Sequence, residues 1–128
     1  MIATSLVIPI YVSRLHIAFS GDVIKDKDAL NKRFPETINE KGDFCALTDN
    51  RGNHLLVVFN MKNLKDETTL IETIAHESLH LTSFLFLRKG IKPDLNNDEP
   101  QAYLLGWLVG EIYKVYLKFK AQQDGTKV

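Results

Sequence analysis

The stretch His76-Glu77-Ser78-Leu79-His80 reads H-E-x-x-H and lies in the longest helical pattern of the sequence. Residues four apart lie about one turn apart on the same face of an α-helix. The two imidazoles can therefore converge on one metal ion at the ~2.0–2.1 Å that zinc requires. Glu77 lies about 100° round the helix from His76. The spacing provides two metal ligands and a base beside an open coordination position, which is the arrangement that metal-assisted hydrolysis needs.

The residues around this motif predict an amphipathic helix of about five to six turns. Thr69-Leu70-Ile71-Glu72 is a candidate capping box at its start. Arg88 and Lys89 lie in the last turn, and Gly90 is the expected residue just after the helix. An apolar stripe sets the side that faces the core, and it consists of Leu70, Ile71, Ile74, Leu81 and Leu85.

The length and composition of the chain indicate one globular domain covering residues 1–128. With 45% hydrophobic and 25% charged residues, it has the balance of an ordinary folded protein. Its 16 basic and 16 acidic residues cancel, and no basic patch with interleaved aromatic residues stands out, so we predict no nucleic-acid partner. Cys45 has no second cysteine to pair with, and we predict that it is a small buried hydrophobe in a strand.

The hydrophobic segments predict neither export nor a membrane partner. The apolar N-terminus, residues 1–12, lacks a basic region and an A-x-A site, so it does not have the pattern of a signal peptide. The apolar run 102–109 is too short to cross a bilayer. We therefore expect a cytoplasmic location. Gly106 and Gly110 form a G-x-x-x-G, whose expected role here is close packing of a helix.

Several segments predict a small sheet ahead of the motif. Residues 5–20 alternate as a strand does, with Pro9 marking an edge or a bend and His16 on the polar, solvated face. Residues 44–48 and 54–60 flank a loop that contains glycine, and they predict a hairpin. The second hairpin strand leads toward the motif helix. We expect it to pair with an extended substrate by β-augmentation while packing in the core.

A short helix is predicted between these strands, with Asp26 or Asp28 as its cap and Pro35 at its end. The loop 35–43 follows and contains the break Gly42-Asp43.

The last predicted helix covers about residues 98–120, with Asn97 as its N-cap and Pro100 tolerated in its first turn. Residues 121–128 are expected to fray. Its predicted apolar surface consists of Tyr103, Trp107, Leu108, Ile112, Val115, Tyr116 and Phe119.

A catalytic zinc ion usually has three protein ligands, so a third one is expected. The two other histidines, His16 and His54, lie upstream in predicted strands. The intervening loop is long enough to bring the last helix back antiparallel against the first, so that Glu99 would face the two imidazoles. Glu99 is the favoured candidate because it lies in Glu99-Pro100-Gln101-Ala102. Asp94 and Asp98 remain alternatives.

The motif at 76–80, followed by Glu99-Pro100-Gln101-Ala102, resembles the gluzincin metallopeptidases, in which a glutamate ligand lies on the next helix, commonly as E-x-x-A or E-x-x-D. It is also similar to ImmA-type phage and mobile-element proteases and to small prophage proteins with this motif. The resemblance covers only the region of the two motifs and does not extend through residues 1–60. It departs from the family pattern at Asp98, where asparagine is usual, and the chain lacks a large second domain.

The resemblance implies an α+β, zincin-like fold: a small antiparallel or mixed sheet, an active-site helix and a second helix that carries the third metal ligand. It implies a Zn²⁺ ion with the ligands His76, His80 and Glu99. Glu77 would activate the water. Tyr103, one turn after the third ligand, is expected to support the oxyanion, with His54 as the weaker candidate.

The sequence therefore predicts a zinc metalloendopeptidase associated with a phage or mobile element, acting on a peptide or protein substrate, with its oligomeric state open. The alternative is a non-catalytic, metal-stabilised interaction protein with a zincin fold. A third possibility is a zincin-fold protein that binds no metal. Glu77 favours the peptidase, because a structural site does not need an acid beside an open coordination position.

Overall fold

One four-stranded mixed sheet organises the computed structural model, which describes residues 1–39 and 43–125. The spatial order of the strands is β1-β2-β4-β3, and their bounds are β1 Ile2–Val7, β2 Arg14–Ser20, β3 Ala46–Arg51 and β4 His54–Asn60. The helices are α1 (Lys27–Arg33), α2 (Glu67–Lys89) and α3 (Glu99–Gln123), with a 3-10 turn at Met61–Asn63. The predicted α+β class and small mixed sheet are confirmed.

The central strands β2 and β4 run parallel, and each pairs antiparallel with an edge strand, β1 or β3. Parallel neighbours need a crossover connection rather than a hairpin. Here the chain leaves β2, forms α1 on one face of the sheet, adds β3 at the far edge and returns as β4. Both faces of the central strands are covered as a result, which is why their apolar runs are almost fully buried.

Side chains alternate across the sheet and build two cores. The larger core packs against α2 and α3, and its members from the central strands are Leu15, Ile17, Phe19, Leu55, Val57 and Phe59. The smaller core lies on the α1 side and consists of Ala18, Val23, Leu30, Ile38, Leu56 and Val58. Even-numbered residues of β2 and β4 therefore face α1, and odd-numbered residues face the long helices.

The N-terminal β-structure is two strands rather than the single predicted stretch 5–20. β1 begins at Ile2, and the chain reverses through residues 8–13 before β2. In this reversal Ile10 and Val12 have φ angles of 71° and 57°, which β-branched residues rarely adopt. The alternation in the sequence was therefore correct for β2 but missed the reversal.

The hairpin is tighter than predicted. β4 has the predicted bounds, whereas β3 begins two residues late and continues to Arg51, so the turn is Gly52-Asn53. Gly52 has a φ of 64°, a conformation that glycine adopts without a steric penalty. Cys45 precedes β3 and is exposed, so the prediction of a buried strand cysteine is wrong.

The motif helix α2 begins earlier than predicted. Its N-cap is Asp66, and the Thr69 hydroxyl donates to the Asp66 carboxylate over 3.2 Å instead of forming the capping box. The predicted end is confirmed, since Gly90 adopts a left-handed φ of 71°. Ile71 is 50% exposed and does not belong to the core stripe.

The last helix, α3, has Asp98 as its N-cap instead of Asn97, and it continues to Gln123. Residues 126–128 of the predicted frayed tail lie outside the described residues. Tyr103 is 75% exposed, and the neighbouring Leu104 takes the core position that was predicted for Tyr103.

The G-x-x-x-G of α3 faces open space. A Cβ added at Gly106 or Gly110 would meet no atom within 4 Å, so the predicted close packing is absent from the part of the chain that the structure describes. Among the helices in residues 1–39 and 43–125, none is long and apolar enough to cross a membrane.

The short helix α1 follows Asp26, one of its two predicted caps, and ends before Pro35. The Ser20 hydroxyl donates to the Asp26 carboxylate over 2.6 Å and ties the helix start to β2. Residues 35–39 form the predicted loop, and Gly42 lies outside the described residues.

Candidate metal centre

His76 and His80 lie together on the exposed side of α2. Their Nε2 atoms are 3.1 Å apart, and their ring planes are 77° to one another. The helix produces this contact directly, because residues four apart share one face. The structure thus brings together two of the three predicted metal ligands.

The separation of the two Nε2 atoms fits two ligands of one zinc ion. Zn–N bonds of ~2.0–2.1 Å at a tetrahedral angle place the nitrogen atoms about 3.3 Å apart. The same separation suits a hydrogen bond between neutral imidazoles, in which one N–H donates to the other ring. A shift of a few tenths of an ångström therefore converts the histidine pair into a metal-binding pair.

Glu77 lies between the histidine pair and the core. At about 100° per residue, its side chain projects about 60° round the helix from His80, toward the packed side of α2. The side chain is 7% exposed. The ion pairs of the described residues do not include its carboxylate. The negative charge of this carboxylate would stabilise a cation held beside it.

The third predicted ligand does not meet the pair. Within the described residues, no three His, Cys, Asp or Glu side chains are gathered for a metal ion, so neither Glu99 nor its alternatives Asp94 and Asp98 complete the site. The physical reason is the level at which α3 begins. Its first turn shares a groove with Tyr11, whose ring lies 6.3 Å from that of Phe86. Phe86 lies about 9 Å along the axis of α2 from His80, toward the end of the helix. The first turn of α3 therefore lies beside the end of α2, beyond the histidine pair.

Tyr103 lies in a different depression from the histidine pair. It lines a groove of about 450 Å³ between α3 and the β1–β2 reversal, together with Pro9, Tyr11, Pro100 and Trp107. Neither motif histidine lines this groove. The oxyanion role of Tyr103 stays a prediction.

His54, the weaker candidate for the oxyanion, lies on the opposite side of the sheet from α2. It belongs to the even-numbered series of β4 and faces the α1 side with His16, at 2.9 Å. The sheet therefore separates His54 from the motif helix, and it does not face the histidine pair.

The expected substrate strand, β4, has no free edge, because β2 and β3 pair with its two sides. Its expected β-augmentation by substrate is therefore wrong. Among the described strands, β3 is the edge strand on this side of the sheet, and it packs against α2.

His16 is not the solvated side chain that its alternation predicted. It is half-buried between Ser5, Phe34 and His54. Burial is the main cause that lowers its pKa from 6.5 to about 4, and the positive charges of His54, Arg33 and Arg14 lower it further. The sequence alone did not predict that these residues surround His16, because they come from three strands and a helix that are distant in the chain.

Comparison of the chain with protein-family models, with curated proteins and with solved structures finds no match.

Proposed function

We propose that this chain is a zinc-dependent metallopeptidase whose reaction takes place at the histidine pair of α2. The observation that carries the proposal is the approach of two Nε2 atoms to 3.1 Å beside a buried carboxylate. Two imidazoles and an acid at this spacing match the needs of metal-assisted hydrolysis.

Three residues of α2 have separate roles in the proposed reaction. His76 and His80 hold the ion through Nε2. Zinc, when bound, supplies a Lewis acid that polarises a carbonyl and lowers the pKa of water. Glu77 accepts the proton of the attacking water and delivers it to the leaving amine. No ion pair of the described residues engages the Glu77 carboxylate.

The third ligand of this proposal is Glu99, as the resemblance implies. Glu99 is exposed at the first turn of α3 and forms no ion pair among the described residues, so its carboxylate is available. Reaching the histidine pair requires the first turn of α3 to move along α2. The exposed loop before α3, which includes Leu95 at 93% exposure, is the segment that would absorb this movement.

We further propose β3 as the strand that pairs with an extended peptide. Edge strands present unpaired N–H and C=O groups, and peptide substrates add to such edges by backbone hydrogen bonds. β3 packs against α2, so a peptide along its outer edge lies on the side of the sheet nearest the motif helix.

A non-catalytic, metal-stabilised interaction protein is the second candidate. It needs no open coordination position, but a structural zinc site has four protein ligands, so the absence of an assembled third ligand in the described residues counts against it as well. The buried carboxylate of Glu77 beside the pair speaks for the peptidase, since a purely structural site has no use for it.

Zinc content of the purified protein tests the proposal. Elemental analysis should find about one zinc per chain, and His76→Ala or His80→Ala should abolish tight binding. His54→Ala is the matched control, because it removes an exposed histidine of the other pair and should leave zinc content unchanged. Glu99→Ala should weaken binding strongly, whereas Asp94→Ala should not. A folded wild-type protein that takes up no zinc would refute the proposal.

A further inference from the structure

All four arginines of the chain lie at the end of the sheet where β2 and β4 begin. Arg14 and Arg51 are the register partners of His54 on its two sides. Arg33 donates to the Ser5 hydroxyl over 3.3 Å, and the Arg88 guanidinium lies 3.7 Å from the position that a Cβ on the neighbouring Gly52 would occupy. In a chain with no net charge, this concentration of cations at one end is a distinct feature of the fold.

Arg14 and Arg33 have no acidic partner among the described residues. The ion pairs there join Arg51 to Asp49 over 2.8 Å and otherwise involve lysines. Arg51 also donates to the Thr37 hydroxyl, so its guanidinium is engaged. Arg14 and Arg33 therefore carry positive charge that no ion pair in this part of the chain compensates.

A chain of hydrogen bonds links Arg33 to the second histidine pair, His16 and His54. The Ser5 hydroxyl lies 2.6 Å from His16 Nδ1, and His16 Nε2 lies 2.9 Å from His54 Nδ1. Arg33 can only donate, so Ser5 accepts from it and can donate its own proton to His16 Nδ1. Assigned in this way, His16 donates from Nε2 to His54, and His54 keeps its own proton on Nε2. Arg33 and His54, at the two ends of this hydrogen-bonded chain, are then both donors.

The surroundings of His16 and His54 exclude the metal-binding role that is proposed for His76 and His80 on α2. His76 has Glu72 one turn before it and Glu77 beside it, so its neighbourhood is anionic. His16 has Arg14 and Arg33 near enough that their charges lower its pKa. Two guanidinium groups repel a metal cation and attract an anion.

We propose that Arg14, Arg33 and His54 form a binding site for a phosphate group carried by a small molecule, with the Ser5 hydroxyl holding Arg33 and His16 in place. Guanidinium forks match phosphate oxygens, and two of them balance the charge of a phosphate monoester. The exposed His54, with its proton assigned to Nε2, supplies a further donor. This site, named the basic cluster, lies on the α1 side of the sheet and is independent of the metal centre.

A small ligand fits the basic cluster better than a nucleic acid. Single-stranded nucleic acids bind through aromatic rings on which the bases stack. Phe34, the aromatic residue beside the basic cluster, is half-buried, and its ring packs edge-on against His16 with centroids 4.6 Å apart. The cations also converge on one strand end rather than following a groove.

NMR titration of the protein with inorganic phosphate and with pyrophosphate at neutral pH and low salt tests this proposal. The backbone amides of residues 14, 33 and 54 should shift in a saturable manner, with pyrophosphate tighter than phosphate and acetate weaker than both. Arg14→Gln or Arg33→Gln should each weaken binding by about ten-fold or more. Lys32→Gln is the matched control, since it removes an exposed neighbouring cation of α1 and should change little.

Two further measurements distinguish the basic cluster from the metal centre and from a nucleic-acid surface. His80→Ala should leave phosphate binding unchanged, because His80 belongs to the metal centre. A loss of phosphate binding in this variant would place the anion at the metal centre and overturn the proposal. A single-stranded oligonucleotide that binds when millimolar pyrophosphate does not would also overturn the proposal. The proposal would likewise be overturned if Lys32→Gln weakened phosphate binding as much as the two arginine variants. The proteins tested differ at surface positions only, so loss of folding does not confuse the result.

Discussion

At the scale of single residues, His16 and His76 show how neighbours set the chemistry of one side-chain type. His76 is exposed on a helix with glutamates one turn before it and directly after it. His16 is half-buried beside arginines, and its pKa is lowered to about 4. The first environment favours a cation between imidazoles, and the second favours neutral imidazole with an anion nearby.

The lowered pKa of His16 predicts a loss of stability in mild acid. In the folded protein His16 stays neutral down to about pH 4, whereas in the unfolded chain it is protonated below about pH 6.5. The unfolded state therefore binds more protons in this window, and stability is fully present above it and falls as the pH falls through it. Partial solvent screening limits the effect to about 1–2 kcal/mol.

Urea unfolding at pH 7 and pH 5 measures this loss. The wild type should lose more free energy of unfolding between these values than His16→Asn. His76→Asn, which alters an exposed histidine, should keep the wild-type pH dependence. Equal losses in the wild type and His16→Asn would show that His16 is not responsible.

Glu77→Gln is the residue-level test of the peptidase reaction. Glutamine keeps the size of the side chain and its hydrogen bonding but cannot accept the proton, so kcat on a library-selected peptide should fall by ~10²-fold or more. Zinc content should stay near that of the wild type. Glu72→Gln on the exposed side of the same helix is the control, and it should keep its activity. Peptidase activity that survives Glu77→Gln rejects the general-base role.

At the scale of elements, the glycines of the two long helices have opposite effects on stability. Gly90 ends α2 in a left-handed conformation that other residues adopt at a cost. Gly106 lies inside α3 with open space around it, where glycine only raises the entropy lost on folding.

Gly106→Ala should therefore stabilise the protein by about 0.5–1 kcal/mol. Gly90→Ala should destabilise it by about 1 kcal/mol, because alanine is strained in the left-handed region. Thermal unfolding of the two variants gives the sign of each change. A destabilised Gly106→Ala would mean that another surface packs against this side of α3.

At the scale of the whole molecule, α2, α3 and the sheet share one core, at whose centre Phe59 stacks on Phe19 with ring centroids 4.5 Å apart. Elements with a common core unfold together in small domains. Phe59→Ala should therefore cost about 3–5 kcal/mol and lower the stability of every element at once.

Far-UV and near-UV circular dichroism can follow this unfolding side by side. The two signals should give one coincident transition, shifted to lower denaturant in Phe59→Ala. Leu87→Ala, at a side chain that is 79% exposed, should have almost no effect. Separate transitions for the two signals would show that the long helices unfold independently of the sheet.

The sequence by itself determined the features that depend on local patterns. The bounds of β4, the end of α2 at Gly90 and the contact of His76 with His80 all follow from periodicity, turn residues or helical spacing. Cys45 and the start of α2 were predicted wrongly, because strand and helix ends depend on one or two local hydrogen bonds that composition does not reveal.

Only the tertiary structure decided which strand lies in the middle and which side chains meet across it. The parallel pairing of β2 with β4 brings His16 to His54 and closes the β4 edge that had been expected to hold a substrate. It also gathers all four arginines at one sheet end, while the level at which α3 begins keeps Glu99 from the histidine pair. These outcomes depend on strand register and crossover between segments distant in the chain, and no local pattern in the sequence carries that information.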